Sequence, residues 1–316
     1  MRYLKTISLL FFIYSCGGGG SSNSTTEIDN PSNQNPNVII ESCSNTTRTG
    51  MQKCDLKHDS LDRYYFIYRP ANLNTDISVP VLFALHGYGS SALSHLTYTN
   101  YFSLADANNF IVIYPQGTTT DTLSSHWNVG GWTSKSTRKD IEFIDTVIDL
   151  IKDKIQIDQT RIYSSGMSNG GYMSYSLACN LSSKIAAIAS VTGSMTPETY
   201  NDCSPSKPIS ILQIHGLQDF TVPYTGAPFS KTIPDVIDFW VNHNACNTEP
   251  NRLIKYSNLA LVNYDTYENC LNNTNVKLIL HPEMGHTWPF TSTHNVSASN
   301  EIWNFVSQYD LSGKIN

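Results

Sequence analysis

The clearest pattern along the chain is a series of short, continuous apolar runs separated by polar or amphipathic segments. Runs of this kind are typical of strands that are buried on both faces of a parallel sheet. The runs lie at residues 79–85, 110–114, 185–191, 209–214 and 276–280. A short strand is also expected at 162–165, and an earlier, more polar strand at 62–69. The sequence therefore predicts a mainly parallel sheet.

Segments with helical periodicity lie between these runs. In the segment 141–155, Ile141, Ile144 and Ile148 recur three or four residues apart, which places them on one face of a helix. Further helices are expected at 173–181, 234–244 and 300–309. The alternation of strands and helices predicts an α/β fold with helices on both faces of the sheet. No long apolar insertion is visible, so no large lid is expected and any site should be open.

The start of the chain departs from this pattern. Arg2 and Lys5 precede an apolar stretch that is far shorter than the ~20 residues of a transmembrane helix, so residues 1–15 are predicted to be a signal peptide. The residues leading to Cys16 resemble a bacterial lipobox, in which the cysteine is acylated and becomes the new N-terminus. The alternative is an ordinary signal peptide that is cleaved nearby.

Composition then changes twice along the chain. Residues 16–37 are rich in Gly, Ser, Asn and Thr and predict a flexible tether. Residues 38–316 have the length of a single α/β domain. The formal net charge of the whole chain is −6, and loss of the signal peptide would make it more negative, which argues against a nucleic-acid partner.

The chain has 7 cysteines, and setting Cys16 aside leaves an even number. An even number of cysteines in an exported chain suggests disulfides. These cysteines are Cys43, Cys54, Cys179, Cys203, Cys246 and Cys270. Many pairings are formally possible, and pairing of neighbours is the simplest. Neither C-x-x-C nor H-E-x-x-H spacing occurs, so the sequence predicts no metal site and no cofactor.

A glycine-flanked serine follows the short strand expected at 162–165. Residues 166–170 read Gly-Met-Ser-Asn-Gly, which is the G-x-S-x-G pattern of a nucleophile elbow, with Ser168 on a sharp strand-to-helix turn. A side chain at either flanking glycine would collide with the neighbouring strand or helix. A plain Gly-Ser turn would also match this short pattern. The strand before it and the helix start after it favour a nucleophile.

Two further polar residues follow predicted strands in the order that a catalytic triad requires. In the α/β-hydrolase arrangement the serine is followed along the chain by an acid and then by a histidine. Asp219 lies just after the run at 209–214, and His286 lies in the loop after 276–280. Alone, the aspartate would suit a turn and the histidine a loop contact. His281 is the second choice for the base.

A turn after the first apolar run supplies a candidate oxyanion hole. Residues 86–89 read His-Gly-Tyr-Gly directly after the strand 79–85. In this arrangement the hole is formed by one backbone N–H from such a turn and one from the residue after the nucleophile, here Tyr88 and Asn169. Each donor contributes about 3–4 kcal/mol to transition-state stabilisation. His86 is expected to fix the turn and not to act as the base.

Together these motifs resemble the secreted feruloyl esterase and polyhydroxybutyrate depolymerase family of α/β-hydrolases. The resemblance spans roughly residues 63–309 and rests on the segments 85–87, 166–173, 214–224 and 285–289. It implies an α/β-hydrolase fold, a serine esterase activity and a disulfide between Cys179 and Cys203. Depolymerases of this group often carry cysteine after the His-Gly pair. This chain has Tyr88 there, which favours the feruloyl esterase side.

The resemblance, and not the triad itself, implies an ester substrate, since a triad also suits peptidases. The expected substrate is a hydroxycinnamoyl ester of plant polysaccharide, and a polyester is the alternative. A non-catalytic surface binding protein on the same fold is a further alternative. Aromatic residues expected to contact substrate are Trp288, Tyr88, Trp127 and Trp132. The alternative for the three tryptophans is that they only pack the loops.

These expectations also define partners and location. We expect an exported monomer that is held at the outer membrane or cell surface by lipid on Cys16, or is otherwise secreted. Its partners would be the ester substrate and, through the lipid, a membrane.

Overall fold

In the computed structural model the described residues are 40–119, 124–133, 136, 138–256 and 260–315. The predicted signal peptide, Cys16 and the predicted tether lie outside this part of the chain. The strands are β1 Glu41–Asn45, β2 Met51–His58, β3 Leu61–Tyr68, β4 Val79–Leu85, β5 Ile111–Pro115, β6 Thr118–Thr119, β7 Ser125–His126, β8 Ile157–Met167, β9 Ala187–Val191, β10 Ser210–Gly216, β11 Asn251–Tyr256, β12 Leu261–Tyr267, β13 Val276–His281, β14 Tyr309–Asp310 and β15 Gly313–Lys314.

The helices lie mainly between the strands of the large sheet. They are α1 Ala92–Thr99, α2 Tyr101–Asn108, α3 Asp140–Lys152, α4 Asn169–Asn180, α5 Pro197–Asp202, α6 Ile233–His243, α7 Thr291–His294 and α8 Ala298–Val306. Short 3₁₀ turns occur at Gly131–Thr133 and Leu271–Asn273. No helix among the described residues is both long enough and apolar enough to cross a membrane.

The described strands form one 11-stranded sheet with the order β1-β2-β3-β5-β4-β8-β9-β10-β13-β12-β11, and two small hairpins. The six strands in the middle, from β5 to β13 in this order, pair in parallel. The outer strands on both sides pair antiparallel. The predicted parallel sheet is confirmed for the centre.

Burial explains why the apolar runs became the central strands. Every residue of β4, β9 and β10 is buried, because helices cover both faces of the sheet. Helices α3, α4 and α6 pack on one face and share a core with residues such as Trp127 and Tyr172. Helices α1, α2 and α8 pack on the other face, with a core that includes Trp288. The predicted α/β layering is confirmed.

Three disulfides join neighbouring cysteines. Cys43 is bonded to Cys54 across β1 and β2, and Cys246 is bonded to Cys270. Cys179, in the last turn of α4, is bonded to Cys203, directly after α5. The simplest predicted pairing is confirmed, including the pair that the family resemblance implied.

Candidate active site

Ser168 occupies a strained turn between β8 and α4. Its φ of 54° and ψ of −122° lie outside the regions that non-glycine residues ordinarily adopt. A Cβ on Gly166 would lie 2.2 Å from the carbonyl carbon of Gly170, and a Cβ on Gly170 would lie 2.2 Å from the Leu85 oxygen. Glycine is therefore required on both sides. The Ser168 N–H donates to the Val191 oxygen at 2.8 Å, which holds the turn against β9.

Backbone hydrogen bonds join the two loops that carry the predicted acid and base. β10 and β13 are adjacent parallel strands, so their carboxyl ends lie side by side. The Leu217 N–H donates to the His281 oxygen at 3.0 Å, and the Gln218 N–H donates to the Met284 oxygen at 3.1 Å. These bonds fix Asp219, which follows Gln218, relative to the turn that carries His286.

Asp219 and His286 meet at this junction. His286 Nδ1 lies 2.8 Å from Asp219 Oδ2, and Asp219 Oδ1 accepts the N–H groups of Thr221 at 3.0 Å and Val222 at 2.8 Å. With Nδ1–H donated to the carboxylate, His286 Nε2 is the nitrogen that remains for another group, and it makes no hydrogen bond within the described part of the chain. This is the tautomer a general base requires.

The electrostatics of Asp219 favour the carboxylate. Burial alone would raise its pKa, but the hydrogen bonds from His286 and the Val222 amide outweigh burial and hold the pKa below its usual value. The side chain of Asp219 is shielded from solvent, whereas that of His286 is 21% exposed. An ionised buried acid beneath a partly exposed imidazole can stabilise an imidazolium when one forms.

The other two histidines near this junction have structural partners. His281 accepts the Glu283 N–H at Nδ1 and donates from Nε2 to the His294 oxygen. His215 is buried, accepts from Gln213 at Nδ1 and donates from Nε2 to the Val222 oxygen at 2.9 Å. Burial lowers the pKa of His215 to about 4, so the ring is neutral. The structure brings His286, and not His281, onto Asp219.

The turn after β4 lies against Ser168. A Cβ on Gly87 would be 3.4 Å from the Ser168 Cβ. His86 is buried, donates from Nδ1 to the Gly87 oxygen at 2.8 Å and accepts the Gly117 N–H at Nε2 at 2.9 Å. Burial lowers the pKa of His86 to about 4, so the ring is neutral and supports the turn through these hydrogen bonds. Tyr88, the predicted oxyanion donor, follows directly.

Asn169 and Trp127 connect this turn to the start of α4. The Asn169 side chain accepts the Trp127 N–H at 2.7 Å and donates to the Trp127 oxygen at 3.1 Å. The indole N–H of Trp127 donates to the His86 oxygen at 2.9 Å. Trp127 is 0% exposed, so it offers no surface to a substrate. The expectation of a substrate contact is corrected here: Trp127 positions the backbone around Ser168. Sequence reasoning missed the Asn169 side chain, because only its backbone N–H follows from the motif.

Trp288 is also buried, at 2% exposure. Its indole N–H donates to Ser299 Oγ at 3.3 Å, and its ring lies 5.5 Å from the ring of His95. The Thr287 N–H donates to the Gly285 oxygen, so the chain turns sharply at His286 and Trp288 enters the core. The expectation that Trp288 contacts substrate is corrected for this reason.

Tyr88 and Trp132 form an exposed aromatic pair. They are 44% and 39% exposed, and their ring centroids are 5.4 Å apart. Trp132 also meets the edge of Tyr172, in the first turn of α4, at 6.0 Å. Of the four aromatic residues predicted to contact substrate, these two are accessible, and they lie beside the turn that faces Ser168.

Within the described residues, one group of three potential metal ligands lies close together, namely Glu41, Cys43 and Cys54. Both cysteines are joined in a disulfide, so neither offers a thiolate, which is the form of cysteine that binds metal.

Residues 74–246 match the phospholipase/carboxylesterase family, and the match spans more than half of the chain. The chain belongs to this family. Two curated relatives are esterases. The bifunctional acetylxylan esterase/xylanase XynS20E of Neocallimastix patriciarum is 28% identical over 251 residues, covering 79% of this chain and 34% of the relative.

Feruloyl esterase B of Piromyces equi is 28% identical over 253 residues, covering 77% of this chain and 44% of the relative. The chain thus spans less than half the length of these two relatives. Among solved structures, acetyl xylan esterase from Aspergillus awamori superposes with a TM-score of 0.58 at 16% identity, covering 78% of this chain and 94% of that one. The predicted α/β-hydrolase fold and the resemblance to feruloyl esterases are confirmed.

Proposed function

We propose that this protein is a serine carboxylic-ester hydrolase that works through an acyl-enzyme. The observation that carries the proposal is the 2.8 Å contact between His286 Nδ1 and Asp219 Oδ2, at the same edge of the sheet as the strained Ser168. Family membership supports an ester as the substrate over a peptide. The buried, ionised acid supports His286 as a base over a merely structural loop histidine.

The chemistry follows from these positions. Ser168 Oγ attacks the ester carbonyl while His286 Nε2 takes its proton, and the same proton then passes to the departing alcohol. Water, activated by His286, attacks the acyl-enzyme and releases the acid. Asp219 keeps the imidazole in the tautomer with the proton on Nδ1. The backbone N–H groups of Tyr88 and Asn169 stabilise the tetrahedral oxyanion.

The substrate that we propose is a hydroxycinnamoyl ester of a plant polysaccharide. The name of one curated relative, a feruloyl esterase, supports an aromatic acyl group. The exposed Tyr88–Trp132 pair supports binding of a flat ring or a sugar face beside the reacting centre. A polyester is the second candidate, because the same exposed pair would also hold an extended polymer chain.

A substrate panel tests this assignment. kcat/KM is measured with one preparation on methyl ferulate, acetylated xylan and a hydroxybutyrate oligomer. We expect methyl ferulate to be preferred by about tenfold or more, the factor that corresponds to 1.4 kcal/mol of differential transition-state binding. A clear preference for the oligomer or for acetylated xylan would contradict the feruloyl assignment and leave the hydrolase mechanism standing.

We further propose that the protein is exported and held at a membrane by lipid on Cys16. The three disulfides support an oxidising compartment. Acyl chains contribute ~0.8 kcal/mol per buried methylene, so several chains would anchor the protein stably. Cys16→Ser should move the protein from the membrane fraction to the soluble fraction. A wild-type protein that is already soluble and begins at another residue would contradict the anchor.

A further inference from the structure

Tyr98, in the last turn of α1, lies between the nucleophile and the base loop. Its hydroxyl is 3.5 Å from the sulfur of Met167, the residue directly before Ser168. Its ring centroid is 5.9 Å from that of Trp288, two residues after His286. None of the motifs that define the site points to this side chain, yet it contacts both segments that carry the reaction.

The ring of Tyr98 is held in a fixed orientation. Its hydroxyl is 2.5 Å from His95 Nδ1, and the two rings meet edge to face with centroids 5.0 Å apart. His95 is fully buried and is itself packed edge to face against Trp288. The polar end of Tyr98 is therefore satisfied inside the protein, while the side chain as a whole is still partly exposed.

Exposure indicates which part of this cluster a substrate can reach. Tyr98, Met167 and Ser168 are all partly exposed, whereas His95 and Trp288 are buried. Tyr98 and Met167 thus form the accessible surface of the cluster, directly beside the nucleophile. A thioether next to an aromatic face is a favourable surface for a second aromatic ring.

This surface lies across the site from the Tyr88–Trp132 pair. Tyr98 and Met167 pack against the core on the α1 and α8 face of the sheet. Trp132 packs against Tyr172, which belongs to the core on the α4 face. The carboxyl end of β8, with Ser168, lies between the two. A substrate bound at Ser168 therefore has the Tyr98–Met167 surface on one side and the Tyr88–Trp132 pair on the other. Each of these walls can receive one end of the ester, the acyl group or the alcohol.

We infer that Tyr98 is a specificity-determining residue whose ring, with Met167, forms the wall that receives the acyl group. The inference rests on the proposed function and refines it by assigning the two ends of the ester. The apolar Tyr98–Met167 wall takes the aromatic acyl group, and the exposed Tyr88–Trp132 pair takes the saccharide. An acetyl group is too short to use such a wall, whereas a hydroxycinnamoyl group extends along it.

The test compares an aromatic acyl group with a short one. kcat/KM is measured on methyl ferulate and on 4-nitrophenyl acetate for the wild type, Tyr98→Ala and Tyr98→Leu. Both variants should lose about tenfold or more on methyl ferulate and change by no more than roughly twofold on the acetate. Tyr98→Leu keeps an apolar side chain against the core, so it tests the loss of the ring contact if Tyr98→Ala does not fold.

A matched control distinguishes loss of the Tyr98–Met167 wall from a general loss of core packing. Tyr101 also approaches Trp288, at 6.3 Å, but it is fully buried and its hydroxyl pairs with Ser165. Tyr101→Phe should leave the ratio of the two kcat/KM values unchanged. An unchanged ratio in folded Tyr98→Ala or Tyr98→Leu, or an equal loss on both substrates, would overturn the inference.

A failed substrate assignment is distinguishable from a failed inference. If the wild type cleaves 4-nitrophenyl acetate but not methyl ferulate, the feruloyl assignment is wrong. The Tyr98 variants are then compared on 4-nitrophenyl esters from acetate to octanoate. A selective loss on the longer acyl groups would support the acyl wall, and an unchanged chain-length profile would overturn it.

Discussion

His286 Nδ1 lies 2.8 Å from Asp219 Oδ2, although the two residues are 67 positions apart in the chain. The contact exists because β10 and β13 are neighbours in the sheet and their loops are joined by backbone hydrogen bonds. The position of His286, the proposed base, therefore depends on the order of the strands in the sheet.

Removing the base should distinguish His286 from His281. His286→Ala should reduce ester turnover to near background, because no other described histidine pairs with Asp219 at hydrogen-bond distance. Asp219→Asn should cost up to ~10⁴-fold in kcat, since the imidazole then adopts the wrong tautomer.

His281→Ala should retain most of the activity. These rates are measured on one activated ester, and an inactive His281→Ala beside an active His286→Ala would contradict the assignment.

Two glycines near this junction should respond differently to alanine. A Cβ on Gly216 would lie 1.8 Å from the Met284 oxygen, which accepts the Gln218 N–H, so the two loops must separate. A Cβ on Gly285 would meet only the Gln218 oxygen, at 3.5 Å. Gly216→Ala should lower kcat by about 10²-fold, the effect of displacing a catalytic group by ~1 Å. Gly285→Ala should keep a kcat near that of the wild type. An equal loss of kcat in the two variants would argue against separation of the two loops as the cause.

The disulfides should differ in their effect on activity. Replacing Cys179 and Cys203 by serine should cost about 3 kcal/mol of stability, measured by urea unfolding. It should also reduce activity, because this disulfide holds α5, and α5 holds the segment that carries Trp132. Cys203 directly follows α5. At the start of this helix, the hydroxyls of Thr196 and Thr199 donate to the oxygen of Val129, three residues before Trp132.

The Cys43–Cys54 pair is the matched control, because it joins two outer strands of the sheet. Its removal should lower stability without changing kcat/KM by more than about twofold. An equal loss of activity in both double variants would indicate a general loss of folding and not a local effect.

Acid should weaken the fold through His215. Burial lowers the pKa of His215 to about 4 from a usual value of 6.5, so below pH 6.5 the unfolded chain binds a proton that the folded chain does not. Stability is therefore full above pH 6.5 and is lost as the pH falls toward 4. The difference in unfolding free energy between wild type and His215→Gln should shrink by roughly 2 kcal/mol between pH 7 and pH 5. Parallel curves for the two proteins would contradict this.

The centre of the fold was predictable because its signal is strong. Strands buried on both faces read as unbroken apolar runs, and β4 has the predicted bounds. Among the outer strands, β3 was predicted at 62–69 and lies at Leu61–Tyr68. The other outer strands were missed because they are mixed in character, and every residue of β11 is exposed. Helices α1 and α2 were also missed. Each is eight residues long, with polar residues interspersed, although Ser91 caps α1 and was a usable signal.

The candidate site shows the same contrast between features that the sequence indicates and features that it does not. Ser168, Asp219 and His286 were recognisable because each follows a strand that the sequence reveals, and the ends of parallel strands meet. The directions of side chains were not recognisable. Trp288 follows His286 by two residues, but the sharp turn at His286 directs it into the core. Tyr98 belongs to none of the motifs, and it reaches Met167 through the packing of α1.

The central claim is that Ser168 is the nucleophile. The most direct measurement is the mass of the intact protein, followed by peptide mapping, after reaction with a fluorophosphonate probe. We predict one adduct per wild-type chain, mapped to Ser168, with complete loss of ester turnover. Ser168→Ala should be folded, unlabelled and inactive. An adduct on another residue, or full ester turnover by folded Ser168→Ala, would contradict the account.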